Sequence, residues 1–195
     1  MFLWIDFETT GLDPDADYIV EAGWFFTRGG IWHTRGQSRL VTPNAEAWEL
    51  MQQSPVREMH EQSGLLKALT GQTLMVEDVE DEILDDVRLL KARYPQEPLV
   101  LAGASVHFDR GFIRAHMPRL NTELSHRHFD VSTLRMLFDE LGYESLGQRD
   151  YPTAHRAFYD ALDSYLLYRR YADKVNLLSD LEKKKFWERL FKWQA

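Results

Sequence analysis

The sequence contains no cysteine, which excludes disulfides and any metal site built on thiolates. It has no apolar stretch of the roughly 18–20 residues that a membrane-spanning helix needs, so no membrane partner is expected. It is poor in basic residues: 23 Lys and Arg stand against 31 Asp and Glu, for a formal net charge of −8. A chain with that balance has no general pull on polyphosphate, which argues against packaging or reading a duplex. It leaves room for an enzyme that takes a nucleic-acid end through cations, because bound ions outweigh the local protein charge. There is no internal repeat and no low-complexity segment. The opening "MFLWID" lacks the basic region and cleavage site of a signal peptide, so a cytoplasmic location is expected.

What is present is an ordinary globular composition, 44% apolar and 28% charged over 195 residues, enough for one domain with a real core. Three strands are expected first, at residues 2–8, 19–27 and 32–41, as an antiparallel meander; "TGLDPDAD" makes the first turn and "RGG" the second. Helices follow at 45–53 and within 56–69. The clearest helix is 76–94, with Val79, Ile83, Val87 and Leu90 at a helical period. The uniformly apolar "PLVLAG" (98–103) reads as a central strand buried on both faces. A helix at 108–117, a fifth strand at 127–131, a helix at 132–141 capped by Ser132, and helices at 156–171 and 177–193 complete the chain. The expected fold is α/β, a mixed five-stranded sheet with helices on both faces. Sites are expected near the carboxyl ends of its central strands.

Two acids, Asp6 and Glu8, sit inside the first apolar run, where an unpaired charge is costly. Alternation along a strand puts both on one face, about 7 Å apart. Asp109 starts a helix shortly after the apolar strand, and Asp160 lies one turn into the helix at 156–171. If the four meet, each close pair repels by roughly 4 kcal/mol at an effective dielectric near 20, so cations or protons must intervene. Oxygen ligands without thiolate select Mg²⁺ or Mn²⁺, and two such ions can clamp a phosphate between them. His155 stands at the entrance of the same helix, where a neutral imidazole can take a proton from an attacking water. Each residue alone also fits a structural role: a "DxE" on an edge strand, a favourable charge in a helix's first turn, a solvent-facing acid, a loop histidine. Asp130, in a strand, fits either orienting a backbone or an Arg, or binding metal.

Taken in order, "DFETTGL" (6–12), "GASVHFDRGFI" (103–113), "FDVST" (129–133) and "HRAFYD" (155–160) resemble the successive motifs of the DEDDh 3′→5′ exonucleases, whose fold is ribonuclease H-like. Within that family the chain most resembles the oligoribonuclease group, which degrades very short RNA; "HEQSGLLKAL" (60–69) is similar to its "HxxSGL" segment. The resemblance spans most of residues 2–171. It implies metal-ligand roles for Asp6, Glu8, Asp109 and Asp160, with two Mg²⁺ or Mn²⁺, and a general-base role for His155. It implies a wedge between terminal bases for Leu12, a substrate contact for His60, and 5′-phosphate contacts for Ser105, Arg127 and Ser132; a helix cap is the competing role for Ser132. Two positions depart from the pattern: Pro55 stands where the group carries a tryptophan, with Trp48 the ring nearby, and His126 stands where it carries an aromatic.

The resemblance therefore implies a metal-dependent 3′→5′ exonuclease acting on short or single-stranded nucleic acid, RNA favoured, and releasing nucleoside 5′-monophosphates. Its partner is a nucleic-acid 3′ end, and a homodimer is implied by the resemblance alone. The rivals are a DNA proofreading or repair exonuclease and a non-catalytic interaction module on the same fold. The expected organisation is an exonuclease domain over 1–173 and a helical extension over 174–195 carrying Lys183–Lys185 beside an apolar stripe.

Overall fold

The computed structural model describes residues 1–53, 56–143 and 155–177. The helix expected at 177–193 and the departure at Pro55 lie outside the described residues.

The chain opens with β1 (Phe2–Thr9) and β2 (Ile19–Arg28), paired antiparallel. The expected third strand is two short ones, β3 (Ile31–Trp32) and β4 (Gln37–Leu40), both antiparallel to β2. Trp32 pairs with Thr27 and Gln37 with Trp24, so five steps on one side face three on the other. The surplus breaks the ladder, and the sheet has six strands rather than five. There follow α1 (Ala45–Gln53), α2 (Val56–Gln62), the single turn α3 (Leu65–Ala68) and α4 (Val76–Arg93). The second half alternates: β5 (Leu99–Gly103), α5 (His107–His116), α6 (Pro118–Glu123), β6 (Leu124–Asp130), α7 (Val131–Glu140) and α8 (Ala157–Leu177). The strand order is β3-β2-β1-β5-β6, with β4 also on β2, and the β1–β5 and β5–β6 pairs are parallel. β6 begins three residues earlier than the expected strand at 127, and α8 runs past the expected boundary at 173.

Alternation along β1 explains both layers. Leu3, Ile5 and Phe7 point one way and pack with Val79, Ile83, Val87 and Leu90 of α4 and with Phe112 and Ile113 of α5. Phe2 and Trp4 point the other way and pack with Phe25, Phe129, Ala161 and Tyr165 under α8. Each fully buried large side chain of this kind contributes about 1.5–3 kcal/mol. A strand covered on both faces reads as a nearly continuous apolar run, so a polar residue in it needs a partner there or a gap in the cover.

The helix at 131–140 is capped differently from the expectation. Asp130 is the N-cap, and its Oδ1 accepts from the Ser132 N–H at 2.9 Å; Ser132 lies inside the first turn. An ionised carboxylate outcompetes a hydroxyl for that backbone donor.

Candidate active site

Asp6 and Glu8 continue the row of Phe2 and Trp4 and so face α8, at the point where that helix begins. Asp160, in the helix's first turn, meets them: one carboxylate oxygen from each of Asp6, Glu8 and Asp160 lies within 4.8 Å of the others. Glu8 and Asp160 are buried and Asp6 is half-buried. The approach is possible because Gly23 stands opposite Asp6 on β2. A Cβ there would lie 2.0 Å from the Phe158 nitrogen and 2.4 Å from the Ala157 carbonyl carbon, so the turn that carries Asp160 rests on bare backbone.

Asp109 stands apart from that trio. Its Oδ1 accepts from the Phe7 N–H at 3.2 Å, midway between Asp6 and Glu8 along β1. The β1–β5 ladder has ended by Trp4, so this N–H has no strand partner to lose. Burial pushes the Asp109 carboxyl up to about 8, and the nearby Asp130 charge adds to the effect. In metal-free protein Asp109 therefore keeps its proton at neutral pH, while the unfolded chain gives it up near 4. The folded state binds the extra proton between those values, so the stability that Asp109 contributes to the metal-free protein is full below about pH 4 and is lost as the pH rises to about 8. Denaturation midpoints across that window should slope downward in chelator, and Mg²⁺ should flatten the slope by engaging the ionised form.

His155 closes the site from the loop side. Its backbone N–H donates to Asp160 Oδ2 at 3.0 Å, and its main chain takes the left-handed conformation, φ 66°. A non-glycine residue in that region carries strain of order 1 kcal/mol, which the surrounding contacts must hold in place.

His60 is fully buried, at 0% exposure, behind Glu8 rather than on an open surface. Its Nε2 bonds the Thr9 carbonyl at 2.8 Å, so that nitrogen is the donor, and its Nδ1 lies 3.8 Å from Glu8 Oε2. Burial lowers its pKa and so favours the neutral ring, and the Thr9 bond acts in the opposite direction. Leu12 is the opposite case, 77% exposed at the tip of the loop after β1. The Asp17 carboxylate straps that loop, accepting from the Thr10 hydroxyl at 2.7 Å and the Asp13 N–H at 3.0 Å. A Cβ at Gly11 would lie 2.4 Å from the same carboxylate, so a larger residue there would push the strap aside.

Ser105 and Ser132 are brought together. The Ser105 N–H is shared between Asp130 Oδ1 at 3.1 Å and Ser132 Oγ at 3.2 Å, and Ser105 also has a positive φ, 56°. Asp130 thus orients two backbone donors, one of the two roles open to it in the sequence. Arg127 is exposed on β6, as is His126. Trp48 is half-buried and packs against Val20, Met51 and Leu65, a small core cluster.

Sequence reasoning missed Glu21, Arg156 and Gly23. Glu21 offered the same signal as Asp6 and Glu8, an acid within an apolar strand, "IVEAGWFF". Gly23 offered none, because a single glycine in a strand does not announce what lies against it.

The donor set fits a hard divalent ion: three carboxylates converge, every donor is oxygen, and their mutual repulsion of about 3–4 kcal/mol per pair calls for positive charge. Asp109 is held on the Phe7 N–H, between Asp6 and Glu8 along β1.

Residues 3–168 match the family model RNase_T, described as exonuclease. The chain is 36% identical over 166 residues to an oligoribonuclease of Corynebacterium diphtheriae, covering 83% of this chain and 77% of that one. It is 33% identical over 181 residues to an oligoribonuclease of Corynebacterium glutamicum, covering 92% and 76%. Its fold is similar to that of a moderately thermophilic exonuclease I from Methylocaldum szegediense, with TM-score 0.65 at 17% identity; the match covers 98% of this chain and 42% of that protein. The fold is ribonuclease H-like, and its first-half antiparallel strands and second-half strand–helix alternation agree with that match. Among the described residues no helix is long and apolar enough to cross a membrane.

Proposed function

Since the chain belongs with the oligoribonucleases in the RNase_T exonuclease family and is a 3′→5′ exonuclease, we propose that it hydrolyses very short single-stranded RNA to nucleoside 5′-monophosphates. The convergence of Asp6, Glu8 and Asp160 on one point at the end of β1 carries this reading. These three, with Asp109, would hold two Mg²⁺ or Mn²⁺. Bound divalent ions supply charge neutralisation on the phosphate and a more acidic water.

The protein's own residues do the rest. His155 takes the proton from the attacking water through its imidazole. The water oxygen bonds to the terminal phosphorus, the bond from phosphorus to the 3′ oxygen breaks, and that oxygen leaves as the 3′-hydroxyl of the shortened strand after gaining a proton. Leu12, held out by the Asp17 strap, abuts the terminal bases. Ser105, Ser132 and Arg127 offer hydroxyls and a forked guanidinium to the 5′ phosphate of a short substrate, which would set its length.

The test is digestion of labelled RNA and DNA oligomers, from dinucleotides upward, with Mn²⁺ and with chelator; the RNA and DNA arms read the 2′-hydroxyl. The expected result is stepwise shortening from the 3′ end, fastest on the shortest RNA and absent in chelator. Equal turnover of DNA at all lengths would replace the substrate assignment, and activity in chelator would remove the metal. His155→Ala is expected to lower kcat by about 10²–10⁴-fold, the usual worth of a positioned acid–base group, with little change in Mn²⁺ affinity. A pH–rate profile with the same acidic limb as the parent's would take the base role away from it.

A further inference from the structure

Glu21 faces the acid cluster without belonging to the converging trio. The register pairs it directly with Glu8 across β1 and β2, and directly paired residues share a face. It is 1% exposed, yet two like charges so placed repel each other. Glu21 is fully occupied instead. Its Oε2 accepts from Arg156 Nε at 2.9 Å and from the Ala157 N–H at 3.3 Å, and its Oε1 accepts from an Arg156 terminal nitrogen and the Ser38 hydroxyl at 2.9 and 2.8 Å. Arg156 follows the strained His155 and precedes the turn that carries Asp160. Glu8 also acts electrostatically on the guanidinium.

We propose that Glu21 and Arg156 are a positioning pair for this active site: Glu21 draws the guanidinium away from Glu8, and the forked bond pins residues 155–160 against β2. The proposal rests on the exonuclease reading above and assigns neither residue to the metal or the substrate. Without Glu21, the Arg156 charge would be free to turn to Glu8 and compete with a divalent ion. Without Arg156, the site would gain net negative charge but lose the clamp on His155. The two losses therefore have opposite effects on metal affinity, whereas a merely structural pair would lower it from either side.

Mn²⁺ binding measured by calorimetry on the full chain, without substrate, separates these cases. Glu21→Gln is expected to weaken Mn²⁺ binding by roughly 10- to 100-fold, the usual cost of losing a group behind a metal ligand. Arg156→Gln should bind Mn²⁺ at least as tightly as the parent while its kcat falls. The double variant should recover most of the Mn²⁺ affinity. Arg156→Lys, which keeps the charge but not the fork, should retain Mn²⁺ binding and lose kcat. Parent-like Mn²⁺ binding in Glu21→Gln, or equal weakening in both single variants, would overturn the pair. Should Glu21→Gln not fold, a parent-like kcat in Arg156→Lys overturns it on its own. A parent protein that neither binds Mn²⁺ nor hydrolyses RNA would remove the exonuclease reading first; an active parent with unchanged variants would remove only the pair.

Discussion

Asp160→Asn is expected to lower Mn²⁺-dependent turnover by at least about 10²–10³-fold, the scale of losing a group that steadies developing charge, and Asp6→Asn should do the same. The amide keeps the size of the carboxylate, and its oxygen can still accept the His155 N–H that Asp160 Oδ2 accepts now. Local geometry is therefore retained while one negative charge leaves a group of three oxygens that lie within 4.8 Å. In chelator that charge is a burden, because nothing but the protein opposes it. The variant should thus melt at or above the parent's temperature in chelator, and gain less than the parent on addition of Mn²⁺. Thermal melts with and without Mn²⁺, run beside the hydrolysis assay, check both halves. A variant that loses activity by misfolding would melt lower in chelator, and one that keeps activity would take Asp160 out of the site.

Gly23→Ala is expected to cost about 1–3 kcal/mol, the range for forcing a methyl group into a packed site. For a domain of this size each kcal/mol lowers Tm by about 2–4 °C. The added Cβ would lie 2.0 Å from the Phe158 nitrogen and 2.4 Å from its Cα, atoms of the helix backbone that cannot swing aside. Relief requires the first turn of α8 to lift off β2. That turn carries Asp160 and follows His155, so kcat should fall in the fraction that remains folded. Gly36→Ala is the comparison. A Cβ there meets the edge of the Phe158 ring at 2.2 Å, and a ring can rotate, so its effect on turnover should be smaller. Equal activity in the two variants would mean that α8 does not depend on Gly23 for its seat.

The readable parts of this protein are those governed by short-range periodicity. The two-residue repeat of a strand put Asp6 and Glu8 on one face before any fold was known, and they do face the same helix. The 3.6-residue repeat in 76–94 marked the buried row Val79, Ile83, Val87 and Leu90, all of which lie in the core. The apolar run at 98–103 holds the interior parallel strand β5, Leu99–Gly103, between β1 and β6. Where a local rule met competition, it failed. Ser132 has the chemistry of a cap, but the neighbouring Asp130 is the stronger acceptor and holds the position. The strand expected over 32–41 is long enough on paper, yet the ladder to β2 cannot absorb its extra residues.

The sequence by itself determined the acids, their spacing and their oxygen-only chemistry, because these follow from residue type and from the repeat of a single strand. Only the tertiary structure decided who stands next to them. Arg156 reaches Glu21 across 135 positions, His60 is buried behind Glu8, and Asp109 turns to a strand's backbone, its carboxyl kept neutral by burial. Such neighbours are set by sheet register and by the missing side chain at Gly23, and neither leaves a periodic mark along the chain.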